Sequence, residues 1–387
     1  MDKKDNPNKE VKVVKKEIKS VKIEIPPSLF TYLKENDKRL EEVKHLGGHS
    51  ITANTYLLEL KSIKDETPDR CVFRLFPPHK PFEFEFYISK TMGLNGVSPK
   101  ILYADHQARF WVQEYVKDNI FLRHGNFGNE ECLRQIGVYL RKIHTFSPVM
   151  KPPDMLDFIG RVKSRLTNVF QKFPCLARFK EAFNRAGSFL KIFEKNAEKC
   201  FCHNDYGYGW NLLWDQKRLW VIDWEFSSMF YPYNDIGSTI ALLILNDQER
   251  EIFLNGYYGR ARTPKEEALI YLGQVFGLYH TALGVLSFIQ NLKDLDDKFF
   301  DSIPAWSDLR TGKYVIERGE AGNQTSHVRI ATLMCKQAEL YMSSPKYQNL
   351  MKNLDTKELL DIARVNLGMI DGTQDMESYI NKIKGES

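Results

Sequence analysis

The sequence predicts an α+β protein with two lobes, a small amino-terminal lobe built on an antiparallel sheet and a larger, mainly helical carboxy-terminal lobe. The chain has 387 residues, too many for one small core. Short apolar runs with turn signals dominate up to about residue 118, and apolar residues then recur at helical spacing. The composition, 43% hydrophobic and 27% charged, allows both lobes to bury a core.

Four segments follow from this pattern: a basic flexible tail (1–27), a small lobe (28–118), a large lobe (119–310) and a helical carboxy-terminal extension (311–387). The tail is rich in lysine, and its last residues, Val21–Ile25, predict a short strand. In the extension, helices are predicted at 325–342 and 355–369. Partner contacts through the tail or these helices are kept open beside the simpler interpretation of a solvated tail.

The charge, the apolar runs and the cysteines of the sequence argue against a nucleic-acid-binding, a membrane-spanning or a disulfide-bonded secreted protein. The net charge of +5 comes without a basic stripe carrying interleaved aromatics, so nucleic acid is not expected as a partner. No secretory signal is apparent, and the longest apolar runs, Ile236–Leu245 and Gly277–Ile289, are expected to be too short for a membrane span. The six cysteines follow no pairing framework, which indicates reduced thiols in a cytoplasmic protein. Cys200 and Cys202 are expected on opposite faces of a strand, which disfavours a shared metal.

In the small lobe, Arg74 is a single charge inside the apolar strand predicted at Cys71–Phe76. A buried charge is costly unless it is paired. The following segment supplies Glu83 and Glu85 as partners, of which we prefer Glu85. The alternative places Arg74 on an edge strand with its guanidinium in water.

Helix signals dominate the large lobe. Asn129 is positioned to cap a helix at Glu130–His144, and Thr263-Pro-Lys-Glu266 is a capping box that begins a helix running to Gln290. Asp235 lies near the start of another apolar helix. We expect Asp235 to cap that helix or brace a neighbouring loop, a structural role in preference to a catalytic one.

The most informative stretch contains His203, Asp205 and Asn211 and is followed by Asp223. Apolar runs that predict short buried strands adjoin both parts, at 200–202 and 219–222. Two such strand ends lying side by side would bring the four side chains into one small volume. An Asp that accepts a proton from a hydroxyl, with an Asn and a second Asp that hold Mg²⁺, is the minimum set for phosphoryl transfer.

Motifs throughout the chain resemble the choline/ethanolamine kinase family, part of the aminoglycoside-phosphotransferase-like enzymes with a protein-kinase-like fold. They are Phe-Cys-His203-Asn-Asp205, Asn211-Leu-Leu, Val-Ile-Asp223-Trp-Glu-Phe-Ser-Ser228 and Asn-Asp235-Ile-Gly237. The likeness extends forward to Gly47-Gly48, Val-Phe-Arg74-Leu-Phe, Glu85 and Gln-Glu-Tyr115. It covers roughly residues 45–290 and implies a kinase that uses ATP and Mg²⁺. The small lobe (28–118) would then bind the nucleotide, and the large lobe (119–310) would be the catalytic and substrate lobe.

The resemblance implies roles for individual residues. Asp205, with His203 beside it in the motif, would be catalytic and take the proton of the acceptor hydroxyl, while Asn211 and Asp223 would hold Mg²⁺ on the ATP phosphates. Arg74, aligned by Glu85, would contact the phosphates. The full set of expected nucleotide-binding residues is Gly47, Gly48, Ser50, Arg74, Glu85, Gln113, Glu114 and Tyr115, the last three meeting adenine through backbone groups. The expected acceptor-binding residues are Trp224, Glu225, Asp235 and Trp306.

Two positions depart from the family pattern. Asn211 follows Asp205 by six residues where the family has five, and Gly207 and Gly209 are expected to absorb the extra residue without strain. Leu242 stands where eukaryotic choline kinases carry a glutamate near the substrate ammonium. An aromatic cage for that ammonium has no spacing rule to select it. The candidates are Trp210, Trp224, Tyr231, Tyr279, Trp306 and Tyr314.

Three functions therefore stay open. The first is an ATP- and Mg²⁺-dependent kinase of a small, cationic amino alcohol such as choline or ethanolamine. The second is a kinase of another hydroxyl compound, such as an aminoglycoside, a sugar or thiamine. The third is a kinase-like binding module that no longer turns over. Retention of Asp205, Asn211 and Asp223 together favours an enzyme.

Overall fold

The computed structural model describes residues 23–46, 53–122, 127, 129–153, 155–292, 295–310 and 324–354. Contacts divide the chain into two compact units, one ending at Lys117 and the other beginning at Asp118. Several predictions lie outside the described residues: those for Gly47, Gly48, Ser50 and Tyr314, for most of the basic tail, and for the helix at 355–369.

The first unit is built on a five-stranded antiparallel sheet. Its elements are α1 (Pro27–Glu35), β1 (Lys38–His45), β2 (Asn54–Ser62), β3 (Pro68–Leu75), α2 (Glu83–Leu94), β4 (Ile101–Asp105) and β5 (Phe110–Glu114). The strand order is β1-β2-β3-β5-β4. Leu29 and Leu33 of α1 pack with Val43, Phe73 and other apolar side chains of the sheet. The strand predicted at the end of the tail is wrong for its described part, because Ile23–Ile25 are irregular.

The second unit is mainly helical. Its helices are α3 (Glu130–His144), α4 (Met155–Lys172), α5 (Lys180–Asn196), α6 (Pro232–Leu242), α7 (Asp247–Tyr258), α8 (Pro264–Leu286), α9 (Asp297–Asp301), α10 (Trp306–Arg310), α11 (Thr325–Ser343) and α12 (Pro345–Met351). Its strands are β6 (Ile120–Phe121), β7 (Cys200–Cys202), β8 (Leu212–Trp214), β9 (Leu219–Val221) and β10 (Ser228–Phe230).

The caps that the sequence predicts fix two of these helices. The Asn129 side chain accepts a hydrogen bond from the Cys132 N–H at 2.9 Å and begins α3 at Glu130. The Thr263 and Glu266 side chains close a capping box at the start of α8. Helix α8 ends at Leu286, four residues before the predicted end, where the Ser287 N–H turns back to Leu283 and Gly284.

Helix α8 is the centre of the large core. Most of its side chains are buried against α5, α6 and α11, with Leu272, Val275 and Leu278 inaccessible to solvent. The helix as a whole extends well before the run Gly277–Ile289 considered in the sequence, and its length and hydropathy suffice to cross a membrane. Within the structure, however, 78% of its most apolar window is buried inside the protein. Among the described residues it is the one helix with these properties.

Short strands of the second unit pair differently from the sequence prediction. Strand β7 pairs antiparallel with β10, whereas β9 pairs with β8 and β8 with β6. The strand ends at residues 202 and 221 therefore belong to different ladders. The loops that follow them still meet, because hydrogen bonds between the loops replace the expected strand pairing.

Candidate active site

The loop after β7 holds a hydrogen-bonded pair, Asp205 and Asn211. The Asn211 Nδ2 amide donates to the Asp205 Oδ2 carboxylate oxygen at 2.6 Å and to the Asp205 carbonyl at 3.0 Å. Asn211 is buried and Asp205 is partly exposed. Because the amide nitrogen faces Asp205, the Asn211 Oδ1 oxygen is the atom that can meet a cation.

A 3₁₀ turn at Gly209–Asn211 ends the segment that joins Asp205 to Asn211. Neither Gly207 nor Gly209 has a positive φ, so the turn does not use the left-handed conformation that glycine allows. Both are needed for close packing. A Cβ atom on Gly209 would lie 1.6 Å from the Leu122 carbonyl oxygen, and one on Gly207 would lie 2.6 Å from the Ser238 backbone.

Asp223 follows β9 and lies beside this pair. Its backbone has a left-handed conformation, φ 67°, which is strained for an aspartate and is typical of functional sites. The preceding Ile222 N–H donates to the Asn211 carbonyl at 3.0 Å and so ties the two loops together. Burial, followed by the negative charge of Asp223, raises the pKa of Asp205 to about 8.

His203 is a positioning residue in this structure, which corrects the expectation that it is catalytic. The ring is fully buried. Its Nε2 donates to the Ile222 carbonyl at 3.0 Å, and its Nδ1 accepts from the Asp205 N–H at 3.3 Å. A carbonyl can only accept and an amide can only donate, so the ring is neutral with its proton on Nε2. Burial lowers the pKa of His203, which favours the same state.

Asp235 braces the loop that carries Asp205 and does not line an open site. Its Oδ2 accepts from the His203 N–H and its Oδ1 from the Asn204 N–H, both at 2.8 Å. The carboxylate is inaccessible to solvent. The predicted bracing role is thus confirmed, whereas the expectation that Asp235 binds the acceptor is corrected.

Two further residues, His144 and Asn204, help to hold the loop of Asp205 and were not identified from the sequence. The His144 Nε2 lies 3.2 Å from the Asp235 Oδ2 and completes its hydrogen bonding. Asn204 has a left-handed backbone, φ 64°, and its side-chain amide donates to the Ser228 hydroxyl at 2.8 Å. The asparagine directly before Asp205 was a usable signal, because Asn tolerates this conformation better than most residues.

The other residues that were expected to bind the phosphate acceptor differ in their solvent exposure. Trp306 is 3% exposed and donates from Nε1 to the Ala241 carbonyl at 3.0 Å, and Trp224 is 1% exposed and packs on the His203 ring. Both are core residues here, which corrects their assignment, while Glu225 is partly exposed. Among the cage candidates, Tyr231 and Tyr279 are also buried and Trp210 is partly exposed.

The first unit carries the expected nucleotide-binding residues that the structure describes. Arg74 Nη2 lies 2.9 Å from Glu85 Oε1, and both side chains are nearly inaccessible, at 7% and 2% exposure. The predicted pairing is confirmed. The edge-strand alternative is wrong, because Arg74 lies on β3 between two other strands.

Part of the segment expected to meet adenine, Gln113–Tyr115, already pairs with neighbouring strands of the sheet. The backbone of Gln113 is in register with both β3 and β4, and its side chain accepts from the Trp111 indole. The Glu114 N–H donates to the Lys100 carbonyl at 2.9 Å. Tyr115 follows the end of β5. An adenine contact stays a prediction for the other backbone groups of this segment.

The donor set beside Asp205 fits a magnesium ion. Carboxylate and amide oxygens are the ligands that Mg²⁺ prefers, and Asp223 and the Asn211 Oδ1 supply one of each. A divalent cation there would also offset the repulsion between the Asp205 and Asp223 carboxylates. The arrangement can therefore hold a cation next to a carboxylate that accepts a proton, which is what phosphoryl transfer to a hydroxyl requires.

Known proteins resemble this chain in sequence and in fold. Protein LicA of Haemophilus influenzae is 25% identical over 210 residues, which are 52% of this chain and 71% of that protein. A choline/ethanolamine kinase family protein from Mesorhizobium loti has a similar structure, with a TM-score of 0.58, 17% identity, and coverage of 81% of this chain and 92% of that one. Choline kinase LicA from Streptococcus pneumoniae gives a TM-score of 0.52 at 18% identity, covering 79% of this chain and 98% of that one.

These similarities at low identity establish the fold, an α+β kinase-like fold with an antiparallel amino-terminal sheet and a largely helical carboxy-terminal part. The model of the phosphotransferase enzyme family (APH) matches residues 49–268, more than half of the chain, including Asp205, Asn211 and Asp223. The chain therefore belongs to the phosphotransferase enzyme family.

Proposed function

We propose that this chain is an ATP- and Mg²⁺-dependent kinase that transfers the γ-phosphate to the hydroxyl of a small amino alcohol, choline or ethanolamine. The observation that carries the proposal is the hydrogen-bonded pair of Asp205 and Asn211 next to Asp223. Membership of the phosphotransferase family supports the reaction type. The choline kinases among its structural relatives support the acceptor class.

In the proposed mechanism Asp205 receives the proton of the acceptor hydroxyl as the oxygen attacks the γ-phosphorus. The bond to the β-phosphate oxygen breaks, and ADP leaves. Asn211 and Asp223 would hold Mg²⁺, which supplies positive charge to the phosphate oxygens when it is bound. The hydrogen bond from Asn211 keeps the Asp205 carboxylate in one orientation, and the contribution of such positioning to phosphoryl transfer is large.

Arg74 is proposed to contact the nucleotide phosphates. Its charge is buried and held by Glu85, so the guanidinium is pre-oriented and loses little side-chain entropy when it binds. An arginine presents its donors in a fixed fork that suits phosphate oxygens. Nucleotide affinity should therefore depend on Arg74 and on the integrity of its pair with Glu85.

A second acceptor class is supported by Leu242. This residue is 7% exposed on α6 and takes the place of the glutamate that the resemblance associates with a substrate ammonium. A site without that carboxylate gains less from a quaternary ammonium, so another hydroxyl compound, such as an aminoglycoside, a sugar or thiamine, is the alternative acceptor. A weakly active binding module is the third possibility.

A coupled ADP-release assay with Mg²⁺ and ATP, run against choline, ethanolamine, thiamine, aminoglycosides and simple sugars, tests these proposals. We expect turnover with choline or ethanolamine. Turnover with another member of the panel supports the second class. Failure with every acceptor while ATP still binds rejects the amino alcohols, and failure together with absent ATP binding favours the binding module.

A further inference from the structure

A cluster of one histidine and two cysteines, all able to bind a metal ion, lies where β7 meets the end of α3. Ligand atoms of His144, Cys200 and Cys202 all lie within 4.8 Å of one another. The expectation that the two cysteines face opposite sides of their strand is wrong, because side chains two residues apart on a strand share a face. Their Sγ atoms are 3.7 Å apart.

The sulfur separation fits a shared metal ion. Two thiolates bound at the usual zinc–sulfur distance of about 2.3 Å, at a tetrahedral angle, have their sulfur atoms about 3.8 Å apart. A histidine nitrogen at the third corner belongs to the commonest ligand types for such an ion. The two sulfur atoms therefore already have the separation that a tetrahedral site requires, and a His144 nitrogen lies within 4.8 Å of both.

The charge of a divalent ion matches this pair of cysteines. A divalent ion that binds two thiolates releases two protons and leaves a unit without net charge, which can be buried at low cost. The Asp235 carboxylate, 3.2 Å from His144, adds further negative potential. Cys200 is partly exposed and gives an entry path.

We propose that His144, Cys200 and Cys202 form a binding site for a thiolate-preferring divalent ion, of which Zn²⁺ is the natural representative and Cd²⁺ the convenient probe. His144 is hydrogen-bonded at both ring nitrogens, to the Tyr257 hydroxyl at 2.8 Å and to Asp235. An ion that takes either nitrogen replaces one of these bonds. A bound ion would link β7 to the end of α3. Because His144 also contacts Asp235, the ion would affect the hydrogen bonds that Asp235 makes to the loop of Asp205.

The site is tested on the full chain, with reductant removed and Mg²⁺ in excess to occupy oxygen sites. Cd²⁺ titration should give the ultraviolet thiolate-to-cadmium charge-transfer band, saturating at one equivalent per chain. Cys200→Ser should lose most of the band. Cys175→Ser is the matched control, since Cys175 is also free and partly exposed but lies far along the chain from the cluster, and it should keep the band unchanged.

Two results overturn the proposal. One is the absence of a charge-transfer band at one equivalent, and the other is an equal band in Cys200→Ser and the parent chain. X-ray absorption at the zinc edge on the parent chain needs no variant. It should show about two sulfur neighbours near 2.3 Å together with nitrogen, and a shell of oxygen alone rejects the site. Both readouts are independent of kinase activity, so the metal site and the proposed function fail separately.

Discussion

The Asn211 amide donates to the Asp205 carboxylate at 2.6 Å, across a loop one residue longer than the pattern of related kinases. The 3₁₀ turn at Gly209–Asn211 brings Asn211 to Asp205, and Gly209 in this turn lies against the Leu122 backbone. The spacing of six residues therefore keeps the proposed proton acceptor in contact with the side chain proposed to hold the metal.

Replacing the carboxylate of Asp205 should separate catalysis from binding. Asp205→Asn keeps the shape of the side chain and removes the proton acceptor, so we expect kcat to fall by roughly 10²–10⁴-fold. ATP affinity, measured by calorimetry, should change little. The control is Asp297→Asn, at a side chain that is 87% exposed and paired with Arg178 on the surface. Unchanged kcat in Asp205→Asn contradicts the assignment of the base.

The raised pKa of Asp205 also predicts a pH-dependent stability. An aspartate has a pKa of about 3.9 when unfolded and Asp205 has one of about 8 in the fold. Its contribution to the free energy of unfolding is fully present below about pH 4 and is lost as the pH rises through about 8, because ionisation then opposes folding.

The asparagine side chain of the Asp205→Asn variant cannot ionise, so this variant avoids the loss of unfolding free energy as the pH rises. In the absence of divalent ions, urea unfolding should show the variant gaining stability relative to the parent chain as the pH rises from about 4 to about 8. Added Mg²⁺ should reduce the difference, since a nearby cation favours the carboxylate. If the difference in unfolding free energy between Asp205→Asn and the parent chain stays constant with pH, the raised pKa of Asp205 is contradicted.

Local signals predicted much of this structure because they act over a few residues. The Asn129 cap, the Thr263–Glu266 box and the pairing of Arg74 with Glu85 follow from hydrogen bonding and from the cost of a lone buried charge. The motif around Asp205 likewise indicated the right cluster of side chains.

Long-range features escaped prediction for a physical reason. Strands β7 and β9 have three residues each, too few to specify a partner by pattern, so their pairing depends on surrounding contacts. The bond between His144 and Asp235 joins residues 91 positions apart. The burial of Trp224 and Trp306 follows from packing that the sequence pattern does not specify.

The buried ion pair of the first unit should be costly to break. Glu85→Gln removes the charge that compensates Arg74, and we expect a loss of roughly 3 kcal/mol in the free energy of unfolding, measured in urea. Glu83→Gln is the matched control in the same first turn of α2. Its side chain is 59% exposed and meets His106 at the surface, so its effect should stay within about 0.5 kcal/mol. Equal effects of the two substitutions contradict the proposed importance of the pair.

The close approach at Gly209 predicts opposite effects for two glycine substitutions. A Cβ on Gly209 would meet the Leu122 carbonyl oxygen at 1.6 Å and its carbon at 2.8 Å, so backbone must move. Gly209→Ala should lower the free energy of unfolding by about 1–3 kcal/mol and reduce kcat, because the turn that carries Asn211 shifts. Gly160→Ala, within α4 and with no atom within 4 Å of the new methyl, should instead raise stability by about 0.5–1 kcal/mol. If urea unfolding shows Gly209→Ala to be as stable as the parent chain, the tight loop packing is not what positions Asn211.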